Sequence, residues 1–107
     1  MITLLLSLSL QTSAILRDEN GRIHRDRTAV EAFKRMHPCP PTGKGYGSCK
    51  GFVVDHIIPL CYGGLDKPEN MQWQEYFISK KKDVLENKLC KNQLTLQEYM
   101  RRIAFIR

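Results

Sequence analysis

VVDHIIPLCYGGLDKPENMQW, residues 53–73, sets two polar residues inside an apolar, β-branched run and follows them with turn-forming residues. Phe52 to Ile58 is expected to be a strand running into Pro59; Gly63-Gly64 and LDKPEN form a turn, and MQWQ (71–74) alternates as a short second strand. On a regular strand Asp55 and His56 point to opposite faces. Burying either charge unpaired is costly, so each calls for a partner. A metal ion for Asp55 and a polar cleft for His56 would serve. So would a nearby lysine for Asp55, with His56 half exposed on its strand.

Upstream, PCPPTGKGYGSCKG (38–51) carries three prolines and four glycines and is expected to be a loop. Before it, Thr28 with Glu31 reads as a capping box opening a short helix over residues 28–36, stopped by Pro38. RDENGRIHRDR (17–27) is polar with an Asn20-Gly21 turn signal, and reads as a leader or a short hairpin. Downstream, Tyr76 to Leu89 reads as a helix with Phe77, Val84 and Leu85 on one side and Lys80, Lys81 and Lys82 over the exposed side. A second capping box, Thr95 with Glu98, opens a last helix through Ile103. The fold class expected is α+β: two short antiparallel strands and a helix, flanked by further helices and a long Pro/Gly loop.

The chain has 107 residues, enough for one compact domain, and too few for a (β/α)8 barrel or a full dinucleotide-binding fold. Lys and Arg number 17 against 11 Asp and Glu, a formal net charge of +6 that favours a polyanionic partner, nucleic acid first and an anionic membrane second. Residues 1–14 are uncharged, and the apolar run ITLLLSLSL ends in small residues. That stretch is too short to span a bilayer and suits a signal peptide cleaved after Ala14, although the usual basic n-region is missing; an ordinary buried strand or helix is the alternative. Residues 15–107 would then be the mature domain, periplasmic or secreted and monomeric. The four cysteines, Cys39, Cys49, Cys61 and Cys90, lack the C-x2-C spacing of a structural zinc site, so two disulfides are expected instead. Of the three possible connectivities, Cys39–Cys49 with Cys61–Cys90 is the most economical.

Pro59, Gly63-Gly64 and Asn70 follow His56 at intervals of 3, 7–8 and 14. With the Asp55-His56 pair, this pattern resembles the HNH endonucleases of the ββα-metal class, and RDENGRIHR, HPCPPTGKGYGSCKGFVVDH and NMQWQ resemble a small exported subgroup that contains cysteines. The resemblance implies a metal-dependent DNA endonuclease of low sequence specificity, with RNA a further substrate option. It makes His56 the general base, Asp55 a ligand of a divalent ion (Mg2+, with Mn2+ an option), and Asn70 the residue that ties the loop so that His56 is held.

The chain departs from that pattern where the last letter of HNH should stand: the position is Ser79, a weak ligand for Mg2+. Asp83, one turn along the same helical face, is expected to supply the missing carboxylate. Lys44, Lys50, Lys80, Lys81 and Lys82 are candidates for phosphate contacts, with Arg101 and Arg102 near the end, although a solvated face is the plainer reading for many of them. Trp73 is expected in the core rather than stacked on a base. Two other classes stay open: a non-catalytic nucleic-acid-binding module on the same fold, and a small disulfide-stapled cationic protein that binds an anionic surface.

Overall fold

The computed structural model describes residues 17–106. The expected signal peptide, residues 1–14, lies outside them. In chain order the elements are helix α1 (Arg27–Met36), strand β1 (Phe52–His56), 3-10 turns at Leu60–Tyr62 and Pro68–Asn70, strand β2 (Met71–Glu75), helix α2 (Tyr76–Cys90) and helix α3 (Leu96–Ile103). The α+β expectation holds at this level: two antiparallel strands and three helices among the described residues. Ahead of α1, residues 17–23 form the short hairpin, bridged at Arg17 and Ile23, with the Asp18 amide donating to the Arg22 carbonyl at 2.8 Å.

β1 and β2 pair with Phe52 opposite Glu75, Val54 opposite Trp73, Asp55 opposite Gln72 and His56 opposite Met71. Because paired residues share a face, Phe52, Val54, His56, Met71 and Trp73 lie on one side of the ribbon, and Val53, Asp55, Gln72 and Gln74 on the other. The first side meets α1, where Ala29, Phe33 and Met71 form a buried cluster with Val30, Val54 and Trp73 packed at its edge. Trp73 is only half buried; its ring lies 5.8 Å from that of Phe33 and its indole N–H donates to the His37 carbonyl at 2.6 Å. The second side meets α2, which also packs on the Leu60–Tyr62 turn and on α3.

Two local expectations change. β1 ends at His56 rather than Ile58, because the Ile57 and Ile58 amides are taken by Asn70 instead of a continuing ladder. α1 is capped by Asp26, whose carboxylate accepts from the Thr28 amide and hydroxyl, so Thr28 lies inside the first turn. Those bonds hold the Asp26 carboxyl below its ordinary value. The Thr95 cap of α3 is as expected, its hydroxyl accepting from the Glu98 amide at 3.1 Å.

The face of α2 is the larger correction. Phe77 is 78% exposed and Val84 58%, while the helix buries Ser79, Lys82 and Leu89, with Leu85 and Glu86 partly covered. Positions 79, 82, 86 and 89 step by three and four, so the stripe is helical but largely polar. Lys82 is therefore interior, not on the solvent face.

Two disulfides, Cys39–Cys49 and Cys61–Cys90, each with Cα atoms 5.7 Å apart, hold these elements. The first closes the Pro/Gly loop and the second fastens the Leu60–Tyr62 turn to the last residue of α2. With so small a core, each staple contributes on the order of 3 kcal/mol in the chain-entropy account. No helix among the described residues is long and apolar enough to cross a membrane.

The loop from Ile57 to Asn70 is drawn tight by one side chain. The Asn70 amide oxygen accepts from the Ile58 N–H at 2.9 Å, and its nitrogen donates to the Ile58 carbonyl at 2.9 Å and the Leu65 carbonyl at 2.8 Å. The chain passes so close at Gly64 that an added Cβ would stand 2.0 Å from the Ile58 oxygen. Gly64→Ala is expected to cost about 1–3 kcal/mol, as forced overpacking does, with loss of the Asn70 bonds. Urea denaturation with the disulfides intact measures it, and an unchanged midpoint would refute this account of the loop.

Candidate functional site

The closed loop places Asp66 beside the end of β1. His56 Nε2 lies 2.9 Å from Asp66 Oδ1, and both side chains are largely buried. The other Asp66 oxygen accepts from the Asp26 backbone N–H, so the carboxylate is fixed between α1's cap and the imidazole. A carboxylate on Nε2 stabilises the tautomer with its proton there, which leaves Nδ1 as the nitrogen able to accept a proton. Asn70 acts on this pair through the loop: by binding Leu65 it sets the residue immediately before Asp66.

Asp55, on the opposite face, meets α2. Its Oδ2 accepts from Lys82 Nζ and, at 3.3 Å, from the Gln72 amide; Lys82 Nζ also donates to the His56 carbonyl at 3.1 Å. Lys82 is 3% exposed, so the ammonium is an interior partner of Asp55 rather than a phosphate contact. Glu86, one turn further along α2, completes this side. Its carboxyl is raised above the ordinary value of 4.5, first by burial and next by Asp55, with Lys82, Asp83 and Arg25 also acting on it: the two cations lower it and Asp83 raises it. Tyr99 of α3 is wholly buried, its hydroxyl without a hydrogen-bond partner, and burial followed by Glu86, Asp55 and Asp83 pushes its ionisation upward.

A carboxyl raised on folding contributes stability that is full below its unfolded value and lost as pH rises through the folded one. Ionised Glu86 therefore works against folding at neutral pH. Glu86→Gln is expected to raise the Tm at pH 7, the gain shrinking to nothing once pH falls below the ordinary carboxyl value of 4.5. A Glu86→Gln protein less stable than wild type at pH 7 would overturn this.

The expected metal ligands are engaged with other groups or buried in the helix face. Asp55 is taken up by Lys82, Ser79 is buried in the helix face, and Asp83 is half exposed with Lys80 Nζ 3.7 Å from it. Among the described residues no three His, Cys, Asp or Glu side chains are grouped to hold a metal ion. The donor set around Asp55 fits an ammonium and does not fit Mg2+. Among the other expected contacts, Lys44, Lys50, Lys80 and Lys81 are exposed, Lys80 lying over the Tyr76 ring at 5.2 Å, and Arg101 lies 3.7 Å from Glu98.

Two site residues, Asp66 and Glu86, are not singled out by sequence reasoning. Asp66 had a signal: it stands between the paired glycines and Asn70, inside a loop whose ends must meet for β1 and β2 to pair. Glu86 had a weaker one, its spacing of four from Lys82. No family model, curated protein or solved structure matches the chain.

Proposed function

We propose that this chain is a DNA endonuclease of the HNH type that hydrolyses phosphodiester bonds with low sequence specificity. The observation that carries the reading is the Asp66–His56 pair at the end of an antiparallel ribbon, in a loop pinned by Asn70 and backed by a helix. His56 Nδ1 takes a proton from the attacking water, whose oxygen bonds to phosphorus as the bond from phosphorus to the leaving oxygen breaks; the leaving oxygen takes a proton from solvent, and Asp66 orients the ring and stabilises the imidazolium that forms. Arg25, exposed and adjacent to the Asp26 amide that binds Asp66, and Lys67, exposed and next to Asp66, are cations near the pair that can offset charge developing on the phosphate. No step is routed through the Mg2+ expected from the resemblance, because Asp55 is paired with Lys82 and Asp83 lies beside Lys80. The two disulfides support export to the periplasm or medium, where they persist.

A second reading, a nucleic-acid-binding module without catalysis, is favoured by one observation: the carboxylate expected to hold the catalytic ion is neutralised by an interior lysine. Nicking of supercoiled plasmid by the oxidised protein, with added Mg2+ and with EDTA, separates the two. Nicking that depends on His56 supports the endonuclease, and DNA retention with no cleavage in either condition supports the module.

A further inference from the structure

A wide concavity lies away from the ribbon, between the solvent face of α1 and the loop closed by Cys39–Cys49, with a volume of about 910 Å³. Its walls carry Arg25, Arg27, Lys34 and Arg35 against only Asp26 and Glu31, and the Asp26 carboxylate is already engaged by Thr28. On the loop side stands Tyr46, 71% exposed, between Gly45 and Gly47. The backbone on both sides of this aromatic is held against α1: Lys34 Nζ donates to the Gly47 carbonyl at 2.7 Å, and Gly45 lies so close to α1 that an added Cβ would be 3.3 Å from the Lys34 oxygen.

We infer that this groove binds single-stranded DNA, with Tyr46 stacking on an unpaired base and Arg25, Arg27 and Arg35 tracking the phosphates. A cationic groove with an aromatic platform is how proteins hold single strands, since an unstacked base offers a π-face that a duplex keeps covered. The ten-residue α1 is about 15 Å long, room for about two or three nucleotides of an extended strand, so a longer site would run past its ends. The groove begins at Arg25 and Asp26, and the Asp26 amide binds the carboxylate that holds His56, so a strand lying in it runs toward the His56 ring. This last step rests on the endonuclease reading; the binding itself does not.

Fluorescence anisotropy with a labelled dT12 oligonucleotide and a 12-base-pair duplex, in EDTA and on the full oxidised chain, tests the inference. dT12 is expected to bind at least about tenfold tighter than the duplex. Tyr46→Ala should weaken dT12 by about tenfold, as loss of one stacked base does, while Tyr46→Phe stays within about twofold. Arg35→Gln should lower the salt slope for dT12 by about 0.7, one phosphate contact on a single strand. Equal affinity for duplex and single strand, or a Tyr46→Ala protein that binds dT12 as wild type does, would overturn it; so would vesicles of anionic phospholipid that bind more tightly than dT12. Groove-dependent dT12 binding without plasmid nicking leaves the groove standing and refutes the endonuclease, whereas His56-dependent nicking with Tyr46 irrelevant to binding does the reverse.

Discussion

Replacing His56 with alanine is expected to lower plasmid nicking by about 10²–10⁴-fold, the usual worth of a positioned general base, while dT12 affinity stays within about twofold. The substitution removes the group that takes the proton and little that touches a bound strand. The fold should survive, because the side chain leaves one hydrogen bond, to Asp66, unmade; that costs on the order of 1 kcal/mol. Asp66 is a positioning residue, so Asp66→Ala should slow nicking more than Asp66→Asn, whose amide oxygen can still accept from Nε2. Circular dichroism and the melting profile establish that each variant is folded before rates are compared. Nicking at the wild-type rate by folded His56→Ala protein would refute the assignment.

Lys82→Ala is expected to destabilise the protein by about 3–5 kcal/mol, the cost of stranding one half of an interior ion pair. Asp55 would keep only the Gln72 amide, and the Glu86 carboxyl would lose a cation that lowers it. The figure should fall toward the lower end, since the Asp55 side chain is 15% exposed and retains some water. Removing both charges with neutral shapes behaves differently: Asp55→Asn combined with Lys82→Met should lie within about 1 kcal/mol of wild type, because no charge is left behind. Urea titrations of Asp55→Asn, Lys82→Met and the double variant measure the coupling. Additive losses would mean that the ammonium and the carboxylate do not depend on each other.

Much of the fold could be read from residues in order. The β-branched run interrupted by Asp55 and His56 is β1, MQWQ is β2, Thr95 caps α3, and the economical cysteine pairing is the one observed. The resemblance implied Asn70 as a loop tie, and its amide does both accept from and donate to the loop backbone. The errors share one cause. Apolarity ranks Phe77, Val84 and Leu85 as the inner face of α2, yet the ribbon surface beneath the helix is Val53, Asp55, Gln72 and Gln74, which a lysine matches better than a phenylalanine. Likewise Asp66 and Asp26 are loop and cap residues by type, and only the folded chain, through a separation of 40 residues, makes them a support for His56. Local pattern carries no information about such partners.

The polar underside of α2 also sets the helix's angle about its own axis. Adjacent side chains on a helix are about 100° apart, so turning α2 by one position would present Lys81 or Asp83 to Asp55 in place of Lys82. Rotation toward Asp83 sets two carboxylates against each other, and rotation either way exposes Leu89. With no broad apolar stripe to choose an orientation, the single Lys82–Asp55 contact acts as a key for the azimuth of the helix, and the Cys61–Cys90 tie at its far end keeps that key from slipping. The double neutral variant should therefore melt near the wild-type temperature and yet lose a single setting of α2, so that thermal stability and structural uniqueness come apart in one protein.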